Sequence, residues 1–302
     1  MSNEAAPSSP ATVLGSPRIV LGGAFGAEPE QLTRERLDAF HAGGGRFVET
    51  AVSYLGGRAL AAVGAWLARS PGALDTVVKI GHGDRGVDLP LSPEVVGREL
   101  DRAREVLGVD TVGVAVLHND DPARPVEEIA DTVAALVSTG RAGAVGASNW
   151  PPGRLVALAG MMRERGHELL ASYHRSLAVP DPARFNGSTL PGDGPLFDAV
   201  DAAGLALLSW SANAGGYFAR PDEDTGVLSP FDAPLSRQRR QRCRELAAQL
   251  GTDPSSIALA WVLARPRTWA SVGPGTPDRV RQALAAARLE LTAAQAIWLS
   301  NG

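Results

Sequence analysis

Along the chain, short apolar runs rich in β-branched residues alternate with longer stretches in which apolar residues return every three or four positions. The first pattern reads as a buried strand, the second as an amphipathic helix. Residues 19–23 open as a strand, and 32–41 follow as a helix with Leu32, Leu37 and Phe40 inward, stopped by Gly43, Gly44 and Gly45. The alternation continues with strand 46–51, helix 57–69, strand 74–81 and helix 92–107, for which Ser92 is the expected cap, Glu94 lies in the first turn and Gly108 is the stop. Strand 111–118, helix 125–138 closed by Gly140, strand 143–149, helix 151–165 closed by Gly166 and strand 169–175 come next.

Two interruptions break the rhythm. Residues 179–194, rich in proline and glycine, read as a long surface connection before a short helix opening at Pro195, with Leu196, Phe197 and Val200 on one face, and strand 205–211. Residues 212–236 read as a second irregular segment, followed by helices 237–250 and 254–264, strand 269–272 and a final helix near 277–287. Counted from Ile19 this makes eight strand-then-helix units, with a period of roughly 30 residues. Such alternation forces parallel strands, and eight of them close a (β/α)8 TIM barrel, a fold of about 250 residues whose site lies on the loops after each strand. An open doubly wound sheet is the alternative, but no Gly-x-Gly-x-x-Gly opens a helix after the first strand. The expected organisation is a loose Pro/Ser/Ala tail over 1–16 and one barrel domain over 17–302.

Composition narrows the function classes. Of 302 residues 44% are hydrophobic and 21% charged, ordinary for a soluble globular protein. A net charge of −4 and scattered arginines leave no basic footprint, so nucleic acid is not an expected partner. No apolar run approaches the ~20 residues of a membrane span, and the first ten residues lack the features of a signal peptide, so a cytoplasmic location away from membranes is expected. Cys243 is the sole cysteine, and no metal site is expected.

The basic residues carry a sharper signal. There are 29 Lys plus Arg, and Lys79 is the only lysine, leaving 28 arginines. Arginine does not shed its proton in a protein, whereas a buried lysine shifts its pKa readily, so a position that resists replacement by arginine is a candidate for proton chemistry. A surface remnant is the bland alternative. Lys79 follows the run Asp75, Thr76, Val77 and Val78 and falls near a strand's C-terminal end. Other polar residues fall at equivalent places: Glu49 ends the second strand with Tyr54 five residues on, His118 ends the fourth, and Ser148 and Asn149 end the fifth. A lysine or histidine beside a phenol stabilises the phenolate, which predicts a Tyr54 pKa below about 10 and suits proton donation to a carbonyl oxygen.

These residues carry a resemblance to a family. The octapeptide 47–54, FVETAVSY, resembles the segment where aldo-keto reductases place an aspartate and a tyrosine five apart; Val78 and Lys79, the stretch LHN at 117–119 and GAVGASN at 143–149 are similar to that family's lysine, histidine and Ser-Asn motifs, in the same order, over roughly 18–300. The resemblance implies that Tyr54 is the general acid, that Lys79 and His118 tune it, that Glu49 takes the aspartate's place, and that hydride comes from a nicotinamide. It further implies that Ser148 and Asn149 hold the carboxamide, that Trp210 and Ser211 stand where a Tyr-Ser pair stacks on the nicotinamide, and that the turn 271–279, with Gly275, Thr276 and Arg279, meets the adenosine 2'-phosphate. Ser172 is the one side chain near the family's glutamine that can hydrogen-bond, and Ala283 replaces an asparagine. NADP is the implied cofactor, with NAD possible, and the implied partner is a small-molecule carbonyl or alcohol. Phe25, Trp150 and the 212–236 segment are expected to line the substrate pocket. Because Glu49, Ser172 and Ala283 depart from the pattern, a nicotinamide-binding barrel that reports redox state to a partner is the alternative to an enzyme.

Overall fold

The computed structural model describes residues 9–23, 25–83, 91–181, 194–221 and 230–301. Eight parallel strands close in sequence order into a barrel: β1 (Ile19–Leu21), β2 (Phe47–Ala51), β3 (Asp75–Ile80), β4 (Val112–Leu117), β5 (Ala142–Ser148), β6 (Leu169–His174), β7 (Ala206–Trp210) and β8 (Thr268–Val272). The last strand pairs with the first, Val20 standing opposite Ser271. Around it run α2 (Glu30–Ala42), α3 (Arg58–Arg69), α4 (Pro93–Leu107), α5 (Val126–Ser138), α6 (Pro152–Glu164), α7 (Pro195–Ala202), α8 (Pro234–Leu250), α9 (Pro254–Leu263) and α10 (Pro277–Ala286), preceded by α1 (Pro10–Leu14) and followed by α11 (Ala293–Ser300).

The expected alternation is thus realised, with boundaries moved by a few residues, and the local reasons are the ones the sequence offered. Ser92 caps α4 by accepting from the Val95 amide at 3.3 Å, and Gly108 ends it in the left-handed conformation at φ 67°. Val95, Val96, Leu100, Ala103 and Leu107 form its buried stripe. The long connection after β6 lies largely outside the described residues, as do residues 222–229 of the segment after β7.

Two features depart from expectation. The first sixteen residues read as a tail with nothing to bury, and residues 1–8 lie outside the described set. Residues 10–14 instead form α1, whose Leu14 is buried among Val20, Phe47, Val77, Val114 and Leu170, with Ala11 and Val13 packed against the same cluster. The Trp269 indole donates to the Gly15 carbonyl at 2.8 Å. The helix is too short to announce itself by periodicity and owes its place to the open apolar end of the barrel, which it closes. The C-terminal α11 is likewise unpredicted; Thr292 and Gln295 form its capping box.

Strand parity explains where the polar residues go. Val20, Phe47, Val77, Val116, Ala144, Leu170, Leu208 and Trp269 belong to one buried cluster inside the barrel. Side chains two residues apart on a strand share a face. Gly22, Glu49, Lys79, His118, Ser172, Trp210 and Ser271 each lie two residues beyond a member of this cluster, and Ser148 four beyond Ala144. They form the next layer, at the C-terminal mouth.

Candidate active site

The mouth opens into a cleft of about 790 Å³. Its lining includes Glu49, Tyr54, Lys79, His118, Asn149, Trp210, Ser211, Gly275 and Arg279, so nine of the residues singled out in the sequence meet in one place although they span most of the chain. Ser148 and Ser172 do not reach the lining. They are register partners on β5 and β6, both 0% exposed, and their hydroxyls have no hydrogen-bond partner among the described residues. Thr276 is also outside the lining and caps α10, accepting from the Arg279 amide at 3.3 Å.

Lys79 and Glu49 are each 4% exposed and paired at 2.5 Å from Nζ to Oε1. The second hydrogen bond of the lysine runs to the Tyr54 hydroxyl at 3.0 Å. Burial works against the ammonium, but the charge of Glu49 and the contact with Tyr54 outweigh it, and the Lys79 pKa is raised. Tyr54 behaves differently from the sequence expectation. Its pKa is raised, because burial disfavours the phenolate and Glu49 opposes the help from Lys79. The Glu49 charge, paired with the lysine as the sequence resemblance implied, offsets part of the cation's pull on the phenol.

His118 stands beside Tyr54 with ring centroids 5.7 Å apart and planes 74° from parallel. Burial, the nearby Lys79 charge and a second imidazole, His82, lower its pKa to about 3, so the ring is neutral near pH 7. His82 lies 4.8 Å from it, centroid to centroid, and was not singled out in the sequence. The loop that carries His82 is fastened by Glu99, whose carboxylate accepts from the amides of Gly81, His82 and Gly83 at 2.8, 3.1 and 2.8 Å. On the next loop, Asp120 takes a two-pronged contact from Arg154 at 2.6 and 3.0 Å, tying the end of β4 to α6.

Tyr54 starts a tight 3-10 turn, Tyr54–Gly57, in which Leu55, Gly56 and Gly57 are all left-handed, Leu55 at φ 53°. A leucine there carries roughly 1–2 kcal/mol of strain that glycine would not. Asn149 at the tip of β5 is also left-handed, at φ 63°, and its side-chain amide reaches the His118 carbonyl at 3.4 Å. Trp210 lies against His174, ring centroids 5.0 Å apart.

Phe25 and Trp150, expected in the pocket, are both 0% exposed and are not among the residues that line this cleft. Arg36 lies over the Phe25 ring, and the Trp150 carbonyl accepts from the Tyr173 hydroxyl at 2.6 Å, so both are held in the packing beneath the loops. From the 212–236 segment, Asn213, Gly215, Gly216 and Ala219 do border the cleft. The sequence reading missed Ser256 and Gln282 in the lining, and named Ser271 only as the start of the turn 271–279, with no role of its own. Parity of β8 with its interior residue Trp269 would have found Ser271; no comparable signal marks Ser256 or Gln282.

Comparison with known proteins adds a line of evidence of its own. A family model described as the aldo/keto reductase family matches residues 18–297. Versiconal hemiacetal acetate reductase from Aspergillus parasiticus is 26% identical over 235 residues, 73% of this chain and 65% of its own. An aryl-alcohol dehydrogenase from Pestalotiopsis microspora is 25% identical over 303 residues, covering 93% and 74%. A putative voltage-gated potassium channel subunit beta from Schizosaccharomyces pombe is 24% identical over 233 residues, covering 70% and 64%. The chain therefore spans slightly less than two thirds of the first and third of these relatives.

Proposed function

The chain belongs to the aldo/keto reductase family, and on that premise we propose that it is a nicotinamide-dependent oxidoreductase that reduces the carbonyl of a small aldehyde or ketone, with NADP(H) preferred to NAD(H) and Tyr54 as proton donor. The observation that carries this reading is the chain of contacts from Glu49 through Lys79 to the Tyr54 hydroxyl, at 2.5 and 3.0 Å, at the floor of a cleft that extends to Arg279.

The residues present fit a nicotinamide dinucleotide. Asn149 lines the cleft and its Oδ1 has no partner among the described residues, so an amide can donate to it, while the unpaired hydroxyls of Ser148 and Ser172 lie behind the lining. Trp210 offers an aromatic face at the same end. At the other end the start of α10 and the Arg279 guanidinium suit a phosphate, which favours a 2'-phosphorylated cofactor.

A bound nicotinamide supplies the hydride. Tyr54, kept protonated by its raised pKa, gives its proton to the carbonyl oxygen as negative charge gathers there. Lys79, charged and held by Glu49, stabilises the resulting phenolate through its 3.0 Å hydrogen bond. His118, uncharged, orients the same oxygen without bringing a competing acid. The reductase and dehydrogenase names of two relatives agree with this chemistry. The third relative, named as a channel subunit, supports the second reading, a nicotinamide-binding barrel that regulates a partner.

Titration of tryptophan fluorescence with NADPH and NADH, followed by a panel of aldehydes and ketones, tests both readings. Binding of NADPH with turnover supports the enzyme, and binding without turnover on any carbonyl supports the regulatory barrel. Arg279→Ala is expected to weaken NADPH about tenfold and NADH hardly at all, the loss of one charge-assisted contact. Equal losses would remove Arg279 from the phosphate.

A further inference from the structure

The carboxylate that pairs with Lys79 is one methylene longer than the aspartate of the resembled motif, and the barrel contains a device that takes up the extra length. Glu49 presents Oε1 to Lys79 at 2.5 Å. Its other oxygen, Oε2, accepts a hydrogen bond from the Ser271 hydroxyl on β8. Strand β1 lies between β2 and β8 in the barrel, so this contact crosses over the end of an intervening strand. That end is Gly22. A Cβ there would sit 2.6 Å from Ser271 Oγ and 3.4 Å from Glu49 Oε2, so the two side chains meet through the space a side chain at 22 would fill. Ser271 is 5% exposed and Glu49 4%, which leaves water little access to either oxygen.

We infer that Ser271 is a positioning residue: across the notch left by Gly22 it clamps Glu49 with one oxygen fixed on Lys79, and so acts on the proton-donating tyrosine through two intermediaries. The inference rests on the roles proposed for Tyr54, Lys79 and Glu49. A glutamate has one more rotatable bond than an aspartate, and a carboxylate held at one oxygen can swing about it; a second donor, fixed in a strand, removes that freedom. The charged and titratable groups around the Lys79 amine are Glu49 on β2, Tyr54 on the following turn and His118 at the end of β4, with His82 behind the histidine. Tyr54 also shares a hydrogen bond with the Glu49 carboxylate, and on Oε2 the donor from β8 is the Ser271 hydroxyl.

The sole lysine makes the clamp measurable without turnover. Protein labelled with carbon-13 at the lysine ε position gives one side-chain signal, from Lys79, whose titration reports the ammonium directly. Ser271→Ala is expected to lower kcat about tenfold, the scale of a lost hydrogen bond to a charged group, while KM and NADPH affinity stay within about twofold of the parent. Its Lys79 signal is expected to titrate at lower pH than the parent's, because a loosened partner leaves burial to disfavour the charge. Gly22→Ala keeps the hydroxyl but pushes it away, and is expected to do the same. The decisive comparison is Ser271→Ala, Glu49→Gln and the double variant: the double is expected to match Glu49→Gln alone, since Ser271 works only through that carboxylate. Losses that multiply in the double variant, or a Ser271→Ala protein with weakened NADPH binding and an unmoved lysine signal, would overturn the clamp. If neither the parent nor any variant reduces a carbonyl, the proposed reaction fails by itself, and the lysine titration still decides whether Ser271 holds Glu49.

Discussion

Two sides of the barrel mouth treat their buried polar atoms in opposite ways. On the side built from β2, β3 and β8, each carboxylate oxygen of Glu49 has a donor, and Lys79 holds both Glu49 and Tyr54. On the side built from β5 and β6, the hydroxyls of Ser148 and Ser172 and the carbonyl of the Asn149 side chain have none among the described residues. Leaving a buried polar group unmade costs roughly 1–3 kcal/mol. The first side is complete within the chain, whereas the second keeps buried polar atoms that the described residues leave unpaired. His118 stands between them, its Nδ1 also without a partner among the described residues.

The largest effect is expected from breaking the complete side at its reacting end. Tyr54→Phe removes the acid while keeping the ring, and should lower kcat at least about a thousandfold with NADPH affinity nearly unchanged. Lys79→Arg should be almost as damaging, since a planar guanidinium cannot occupy the ammonium's place between Glu49 and the phenol. The parent's pH profile follows from the same groups. Proton donation needs Tyr54 protonated, and its pKa is raised, so the reduction rate should stay level through neutral pH and fall only above about 10, the ordinary tyrosine value. A limb near 6.5 would contradict the lowered His118 pKa, which keeps that ring neutral across the range. Steady-state rates from pH 6 to 11 with a single good substrate check both points.

A smaller loss is expected from shortening the carboxylate. Glu49→Asp restores the residue of the resembled motif, yet in this barrel Glu49 spans from Lys79 to Ser271, and aspartate is too short to keep both contacts. Turnover should fall about tenfold to a hundredfold, the range for a misplacement near 1 Å. Higher turnover in the aspartate variant would mean that glutamate is a burden the barrel tolerates, and would break the contrast between the two sides.

Fold and site were legible to different depths. Eight strand-then-helix units are readable because each strand is a short apolar run and most helices are longer and striped, so period, length and flanking glycine or proline together separate them. The strand-end residues Glu49, Lys79 and His118 were legible because polar groups interrupt those runs at the same end. The pair of Glu49 with Lys79 was expected from the resemblance; what the sequence could not convey is the partnership of Glu49 with β8, across the intervening β1. Nothing near Ser271 in sequence announces Glu49, more than two hundred positions away, and the raised Tyr54 pKa follows first from a burial that a strand-end pattern does not disclose. The closing of the barrel floor by α1 escaped for a related reason: five residues carry no period, and Leu14 is buried only because a ring of strands leaves a hole to fill.

The smallest effect sharpens the comparison from the unpartnered side. If the Ser172 hydroxyl is a buried group without a donor or acceptor of its own, Ser172→Ala removes an unmet cost and should stabilise the free protein by about 1 kcal/mol, raising Tm by about 2 °C for a chain of this size. The same substitution on the complete side, Ser271→Ala, should lower Tm, because it strips a donor from a buried carboxylate. The sign of the two shifts therefore distinguishes a satisfied group from an unsatisfied one with no assay of activity. Cofactor then provides the second half of the test. A ligand that binds only the folded protein raises Tm in proportion to its affinity. If the hydroxyl meets the carboxamide, the rise produced by saturating NADPH should be smaller in Ser172→Ala than in the parent, so that the two proteins converge when loaded. Parallel rises would show that Ser172, 0% exposed and outside the cleft lining, stays beyond the ligand's reach, and would leave Asn149 as the polar group on that side that meets it.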